Sequence, residues 1–212
     1  MDRQGSFGQD RKPTLVDRFG IWLSQRQLQR VLGPMKGARL LDIGSGFEAS
    51  ATRQLLNNVQ AATVVDLSLS DSVKALDKVT AVEGLLPEAL TRLETASFER
   101  IVFNNVLEHL HERQKALDEV HRLLTPDGIA FINVPSWRGK FFLEYAAFKL
   151  GVSPAEEMED HKIYYDPKDL WPMLVEAGFR PSHITCRRHK FGLNTYAICR
   201  KAAGAICRKA GD

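Results

Sequence analysis

Two carboxylates and two glycines stand out in this sequence as groups that could bind a ligand. In the stretch RLLDIGSGFEAS (39–50), Asp42 ends an apolar run, and Gly44 and Gly46 follow it. Asp66 stands near the end of the next apolar run. A strand, a Gly-x-Gly turn and a helix start expose unpaired backbone N–H groups at the carboxyl end of a parallel sheet, where open α/β folds bind ligands. The pattern therefore predicts a small-molecule site.

The negative charge of Asp42 narrows the choice of ligand. A carboxylate facing bound phosphates in a shielded cleft is repelled strongly, so a pyrophosphate ligand is disfavoured and a cationic ligand is favoured. Asp66 can accept hydrogen bonds from both hydroxyls of a ribose. It can also cap the short helix that follows, and both roles can hold together. The structural alternative is a tight βα connection without any ligand.

Short β-rich runs alternating with helical ones must position these residues. Near-continuous apolar strands separated by helices predict a parallel sheet covered on both faces, the doubly wound, Rossmann-like α/β class. The predicted strands are residues 38–43, 61–67, 78–84, 100–106 and 128–134, the last opened by a TPDG turn (125–128). The predicted crossover helices are residues 49–58, 71–76, 87–93 and 112–124.

The C-terminal part of the chain departs from this alternation. Residues 135–165 form a lid-like insertion, and a helix then begins at Asp166 as N-cap and ends at Gly178. Pro172 falls too late for the first turn, so a kink or a 3₁₀ turn is expected there. Residues 182–189 and 192–200 predict an antiparallel hairpin at the sheet edge.

The two chain ends are predicted to flank the main domain. Residues 1–12 are polar and predict a disordered tail, and residues 14–32 predict a cap helix ended by Gly33 and Pro34. The sequence AICRKA occurs twice near the C-terminus, and the first copy is expected to fill the last strand. The predicted organisation is a tail and cap helix (1–36), one catalytic domain (37–201) and a frayed tail (202–212).

Composition excludes several functional classes. The 212 residues carry a net charge of +3 with Lys and Arg scattered among 26 acidic residues, so nucleic-acid binding is not indicated. No run approaches the roughly 18 apolar residues of a spanning helix, and the polar N-terminus lacks a signal-peptide core, so a cytoplasmic protein without stable membrane insertion is predicted. Cys186, Cys199 and Cys207 have no metal or disulfide spacing and predict reduced, partly buried thiols.

Asp42, Gly44, Gly46, Asp66 and the stretch NNVLEHL (104–110), in this order, resemble the class I S-adenosylmethionine-dependent methyltransferases. The likeness covers roughly residues 36–200 and is greatest for the small-molecule branch that includes ubiquinone-biosynthesis enzymes. It implies a seven-stranded sheet in the order 3-2-1-4-5-7-6 with the last strand antiparallel. It also implies S-adenosylmethionine as cofactor.

The resemblance further implies which residues contact this cofactor. The methionine ammonium is held by Asp42, directly or through water, and the ribose diol by Asp66. The implied cofactor-binding set is Asp42, Gly44, Ser45, Gly46, Asp66, Leu67, Asn104 and Asn105, with Leu67 on the adenine and the asparagines beside the methyl group.

The sequence departs from the family pattern at two positions. Glu48 stands where the family often has a third glycine, so its side chain must point out of the turn or narrow the pocket. After the third strand, Gly84 and Leu85 stand where the family frequently has an aspartate for the adenine amino group. Adenine recognition is then expected to rest on backbone groups and apolar packing.

Methyl transfer from a sulfonium is an in-line displacement that depends on alignment and exclusion of water. A general base is required only when the acceptor is a hydroxyl or a protonated amine. His109 and His161 are the predicted candidates, and each could instead be a structural or surface imidazole. Glu108 beside His109 raises the idea of a metal ion, but adjacent residues at a helix start do not face one site, so no metal is predicted.

Two other functions remain as alternatives. A non-catalytic S-adenosylmethionine-binding domain is suggested by Glu48 and by the missing adenine aspartate. A nicotinamide-dependent oxidoreductase is disfavoured because Asp42 opposes a pyrophosphate and no Tyr-x-x-x-Lys pair is found. The predicted acceptor is a metabolite, a sugar or a quinol-like molecule, and the predicted assembly is a monomer or homodimer.

Overall fold

Seven strands form one mixed sheet in the computed structural model of the protein. Their order is β3-β2-β1-β4-β5-β7-β6, as the resemblance implies. Strand β7 runs antiparallel to both of its neighbours, and the other adjacent pairs are parallel. The strands are β1 (Arg39–Ile43), β2 (Ala61–Asp66), β3 (Val79–Glu83), β4 (Phe98–Asn104), β5 (Leu124–Pro135), β6 (Ile184–His189) and β7 (Asn194–Arg200). The Rossmann-like fold class is confirmed.

The structure describes residues 6–7, 26–28, 30–33, 35–141 and 163–204. Its helices are α1 (Ser50–Leu55), α2 (Asp71–Lys74), α3 (Arg113–Leu123) and α4 (Pro167–Glu176). Residues 26–28, 30–32 and 137–141 are also helical, and 3₁₀ turns include Glu88–Arg92 and Leu107–His109. None of the described helices is long and apolar enough to cross a bilayer.

Alternating side chains of the central strands build a core on each face of the sheet. Leu41 and Ile43 of β1 pack with the buried side of α3 and α4, while Leu40 packs on the opposite face with Leu28 and Leu55. Because successive strand residues point to opposite faces, a sheet covered on both sides needs apolar residues at nearly every position. This explains the continuous apolar runs of the sequence.

Helix α4 follows its predicted start and end but differs in its middle. The carboxylate of Asp169 accepts a hydrogen bond from the backbone N–H of Asp166 (2.9 Å), and Gly178, with φ +103°, follows the last turn. The helix is α-helical through Pro172, so the 3₁₀ turn expected there is wrong. Pro172 and Lys168, whose carbonyl loses its intrahelical donor, are exposed, so water can satisfy that carbonyl.

Strand β5 begins earlier than predicted and contains an irregularity. Its register opposite β4 moves from Phe98–Leu124 to Arg100–Ile129, so residues 125–128 bulge out between the two pairs. The first AICRKA copy supplies the end of β7, as expected. The second copy, most of the lid-like insertion and His161 lie outside the described residues.

Candidate functional site

The glycine turn after β1 is held against its neighbours by contacts that only glycine permits. Gly44 has φ +68°, and its N–H donates to the carbonyl of Val65 at the end of β2 (2.7 Å). A Cβ atom on Gly44 would lie 2.2 Å from a methyl of Val106, just past β4. The turn therefore joins the carboxyl ends of β1, β2 and β4 at one point.

Asp66 is bonded directly to this turn. Its Oδ2 accepts the N–H of Gly46 (2.7 Å), and its Oδ1 accepts the N–H of Leu67 (2.8 Å). The Asp66 side chain lies at the sheet edge and is 8% exposed. The structure thus brings together the second acidic residue and the Gly-x-Gly turn, as their positions in the sequence predict.

The N-terminal segment also reaches Asp66. The Ser6 hydroxyl donates to Asp66 Oδ1 and accepts the N–H of Ser68 (2.8 Å), and the Phe7 carbonyl accepts the N–H of Phe47 (2.9 Å). The prediction of a disordered tail is therefore wrong for Ser6 and Phe7. No local pattern marks Ser6, because its partners are distant in sequence. A ligand hydroxyl bound at Asp66 Oδ1 must take the place of the Ser6 hydroxyl.

Asp42 lies beneath the turn rather than on its surface. Its side chain is 3% exposed, and the Thr52 hydroxyl of α1 donates to its Oδ2 (2.6 Å). Burial, the largest cause, and the negative charge of Asp66 raise the pKa of Asp42, and the Thr52 hydrogen bond opposes the rise, so that the pKa is about 6. A buried carboxylate with this electrostatic cost is stabilised by a nearby cation. Sequence reasoning missed Thr52, since a threonine early in a helix carries no specific signal.

The two departures from the family pattern are resolved differently. Glu48 is exposed, pairs with Arg53 (3.3 Å) and accepts the Ser72 hydroxyl (3.1 Å), so it points out of the turn. Beyond β3, Leu85 is 64% exposed beside the same sheet edge and presents an apolar surface. Glu83 accepts the N–H of Leu69 (2.7 Å), so this neighbouring carboxylate is already engaged.

A cluster of amide side chains lies at the carboxyl ends of β4 and β5. Asn133 of β5 is fully buried, and its Nδ2 donates to Oδ1 of Asn104 (2.8 Å) and to Oδ1 of Asn105 (2.9 Å). Asn105 has φ +55°, and its backbone N–H donates to the Asn133 carbonyl (2.8 Å). The predicted asparagine pair is therefore anchored by a third asparagine that sequence reasoning missed.

The final hairpin completes this cluster. His189, the last residue of β6, places Nε2 2.7 Å from Oδ1 of Asn133, and Asn194 at the start of β7 donates to Oδ1 of Asn105 (3.3 Å). Burial, together with the charge of Lys190, lowers the pKa of His189 to about 4, so the ring is neutral near pH 7. The only signal for Asn133 was a polar residue inside the apolar run GIAFINV.

The structure describes one of the two predicted bases, His109, and does not describe the other, His161. His109 ends the 3₁₀ turn Leu107–His109 just beyond β4 and is half-buried. Its neighbour Glu108 is fully buried, and its charge, together with burial, raises the pKa of Tyr165. His161 lies outside the described residues, so a catalytic role for either histidine stays a prediction. Cys186 is half-buried and Cys199 is buried, both as free thiols, and Cys207 lies outside the described residues.

Comparison with known proteins agrees with this geometry. The chain matches a methyltransferase domain family over residues 41–132. It is 25% identical over 176 residues to the ubiquinone biosynthesis O-methyltransferase of Xylella fastidiosa, which covers 74% of this chain and 67% of that protein. It is 27% identical over 194 residues to the ubiquinone biosynthesis O-methyltransferase of Paracidovorax citrulli, covering 81% of this chain and 80% of that protein.

Solved structures share the fold at low sequence identity. A S-adenosylmethionine-dependent methyltransferase from Archaeoglobus fulgidus gives a TM-score of 0.64 at 15% identity, covering 87% of this chain and 94% of that one. The Haemonchus contortus phosphoethanolamine N-methyltransferase 2, solved with S-adenosylmethionine, gives a TM-score of 0.63 at 15% identity. That match covers 85% of this chain and 53% of the neighbour, so the chain spans about half of the longer protein.

Domain match, relatives and sheet order lead to one class of protein. Residues 41–132 match a methyltransferase domain, and the sheet order is the one that the resemblance to class I S-adenosylmethionine-dependent methyltransferases implies. The matched domain indicates methyl transfer as the reaction of this chain.

Proposed function

We propose that S-adenosylmethionine binds over the glycine turn and that an oxygen atom of a small hydroxyl-bearing acceptor receives its methyl group. The observation that carries the cofactor placement is the pair of carboxylates at the ends of β1 and β2. Asp66 is bonded to the turn, and Asp42 is close enough for the two charges to interact. Asp42 offers negative charge to the ammonium group, and Asp66 offers its oxygens to the ribose hydroxyls in place of Ser6. The missing Cβ of Gly44 lets Val106 pack directly against the turn, which fixes the turn in place.

Apolar contact is proposed to hold the adenine. Leu67 follows Asp66, and Leu85 is exposed beyond β3, where the family frequently has an aspartate. Glu83 cannot take over the role of that aspartate, since it is engaged by the N–H of Leu69 and by Lys74 (2.9 Å). Adenine selectivity should therefore be weaker than ribose selectivity.

The residues beyond β4 are proposed to face the acceptor. When bound, the cofactor supplies an electrophilic methyl group on a positively charged sulfur. Asn104 and Asn105 border that position by the resemblance and are fixed there by Asn133. The acceptor oxygen forms the new O–C bond as the S–C bond breaks, and its hydroxyl proton leaves to a base, for which His109 and His161 are the candidates.

Oxygen is proposed as the accepting atom on two grounds. The curated relatives are named O-methyltransferases. Among the described residues, the ends of β4 and β5 carry neutral amide groups, which bear no charge that would attract an ammonium substrate. Glu48 and the missing adenine aspartate suggested a non-catalytic binding role. Because Glu48 points out of the turn, only the missing aspartate still supports that role.

Calorimetry with purified protein tests the cofactor site. S-adenosylmethionine and S-adenosylhomocysteine are expected to bind with micromolar dissociation constants, and NADH is expected not to compete. Tight NADH binding that displaces S-adenosylmethionine would contradict the proposed site.

Release of S-adenosylhomocysteine then tests the acceptor. Catechol, as a quinol-like phenol, methyl glucoside, as a sugar, and aniline, as an amine, are supplied as probes. Methylation of catechol or of the sugar, with little methylation of aniline, is expected. Cofactor binding without turnover on any probe would favour the non-catalytic alternative, and turnover on aniline alone would contradict oxygen as the accepting atom.

A further inference from the structure

The hydrogen bonds of the amide cluster beyond β4 run in one direction, which His189 fixes at Asn133. We propose that His189 is a positioning residue. Through Asn133 it holds Asn104 and Asn105 with their amino groups toward the acceptor. This arrangement favours an acceptor whose attacking oxygen keeps a second lone pair free to accept a hydrogen bond. This rests on the proposed function and deepens it. It assigns a role to His189 and Asn133, which lie outside the cofactor-binding residues.

The orientation of Asn133 follows from its partners. A side-chain amide has two N–H donors on one atom and a carbonyl acceptor on the other. The two atoms nearest Nδ2 of Asn133 are the Oδ1 atoms of Asn104 and Asn105, which use both donors. Its own Oδ1 must then accept, so Nε2 of His189 carries the hydrogen across the 2.7 Å contact.

The orientation of Asn133 also determines the orientation of Asn104 and Asn105. Since Oδ1 of Asn104 and Oδ1 of Asn105 both face Asn133, the planar amide groups turn their amino ends away from it. Among the hydrogen bonds of the described residues, neither amino group donates to another part of the chain. Asn105 is exposed and Asn104 is half-exposed, so these donors are open to a ligand.

His189 fixes the orientation of Asn133, and Asn194 supports the same orientation of Asn105. With the histidine donor lost, Asn133 keeps a buried, unsatisfied carbonyl, which is costly. Rotation of its amide by half a turn would set its carbonyl against two others, so both asparagines would have to turn as well. The neutral state of His189, which burial favours, leaves Nε2–H as a single, permanent donor.

Open amide donors discriminate between oxygen and nitrogen as the accepting atom. A hydroxyl or phenolate oxygen has a second lone pair, which can accept a hydrogen bond while the first attacks the methyl carbon. An amine nitrogen has one lone pair, and that pair must form the new N–C bond. The asparagine pair therefore supports methylation of an oxygen and gives no help to an amine.

Two variants at His189 separate positioning from general damage. His189→Gln keeps an N–H donor at about the distance of Nε2, whereas His189→Phe keeps the ring and removes the donor. For His189→Phe, kcat/KM for catechol is expected to fall about tenfold or more, because a buried hydrogen bond is lost. The Gln variant should restore most of this activity, and the dissociation constant for S-adenosylmethionine should change less than about twofold in either variant.

A spectroscopic measurement requires no acceptor. Long-range ¹H–¹⁵N spectra of the wild-type protein between pH 5.5 and 8 should show His189 as the neutral, Nε2-protonated tautomer throughout. Side-chain amide resonances of Asn133, Asn104 and Asn105 should shift together in His189→Phe and stay near their wild-type positions in His189→Gln.

The outcomes distinguish the two proposals. An Nδ1-protonated or charged His189 at pH 7, or unchanged asparagine resonances in His189→Phe, would overturn the positioning role whatever the acceptor is. Undiminished kcat/KM for catechol in His189→Phe would overturn it as well. Wild-type protein that binds the cofactor yet methylates no probe would instead count against the proposed function, leaving the spectroscopic result to decide on His189.

Discussion

Asp66 serves the folded turn and the proposed ligand with the same two oxygens. It accepts backbone N–H groups of Gly46 and Leu67 and the hydroxyl of Ser6. Asp66→Asn replaces one acceptor by a donor and removes the charge. The affinity for S-adenosylmethionine should therefore fall by about 1–3 kcal/mol, measured by calorimetry.

Asp71→Asn is the matched control for this loss of charge. Asp71 is exposed in the first turn of α2, close to Asp66 in the chain but without a contact to the turn. Its variant should bind the cofactor with wild-type affinity. Equal affinities in both variants would confine Asp66 to holding the turn.

Asp42 should make cofactor affinity depend on pH. Its pKa lies near 6, so the carboxylate gains its charge as pH rises from 5 to 7.5. A cationic ligand binds the charged form better, and the affinity for S-adenosylmethionine is expected to rise over this range. Asp42→Asn should remove that rise while keeping an acceptor for Thr52. Parallel pH dependence in both proteins would show that another group is responsible.

The same residue should affect stability in the opposite sense. A carboxyl with a pKa raised from 3.8 to about 6 on folding favours the folded state at low pH, and that contribution is lost as pH rises through 6. Without ligand, Asp42→Asn is expected to unfold at higher denaturant concentration than the wild type at pH 7.5. At pH 4.5 the difference should shrink, and an equal difference at both values would contradict the assigned pKa.

The spacing of residues in the sequence marks some residues of the proposed site and not others. Asp42, Gly44 and Asp66 were predictable, because their spacing after apolar runs places them at one sheet edge. Ser6 and His189 were not, since each acts through a partner distant in sequence, and only the folded sheet brings these pairs together.

At the level of elements, one lysine links the end of β7 to the end of α3. Lys201 is 8% exposed, and its Nζ donates to the carbonyls of His121 (2.8 Å) and Leu124 (2.8 Å). Cations at a helix C-terminus satisfy carbonyls that lack an intrahelical donor. Lys201→Met should therefore lower the free energy of unfolding by about 2–3 kcal/mol in chemical denaturation.

The repeated sequence offers a control for Lys201. Lys209 occupies the same position in the second AICRKA copy, within the predicted tail. Lys209→Met is expected to leave the free energy of unfolding unchanged. A similar loss in both variants would mean that the second copy also contributes to the fold.

Element types were easier to predict than their lengths. The first five strands were found because buried parallel strands are continuously apolar, and the last two because their pattern predicted an antiparallel hairpin. The crossover at residues 87–93 proved to be a single 3₁₀ helix, Glu88–Arg92. The predicted helix 49–58 consists of α1, which ends at Leu55, and a 3₁₀ turn, Leu56–Asn58. Packing against the sheet, which single-residue propensity does not describe, decides where such short helices end.

At the level of the whole molecule, the sequence offers two copies of AICRKA for one position in the sheet, the end of β7. Both copies keep the same alternation of side chains, so alternation alone does not decide. If Ala205 took the place of Ala197, Gly204 would replace Tyr196, and Ala203 would replace the buried Thr195. Tyr196 is 8% exposed and stacks on Phe131 at 5.9 Å, so the shifted register loses a large core side chain.

Removal of residues 205–212 should therefore leave the folded protein intact. Losing a buried aromatic side chain costs about 3–5 kcal/mol, which is enough to keep the second copy out of the sheet. The truncated chain is expected to melt within about 1 °C of the full chain and to bind S-adenosylmethionine equally well. Deletion from Lys201 onward also removes Lys201 and the buried Ala202, and should lower the melting temperature by several degrees. Equal destabilisation by both truncations would place the second copy in the folded core and contradict the assigned register.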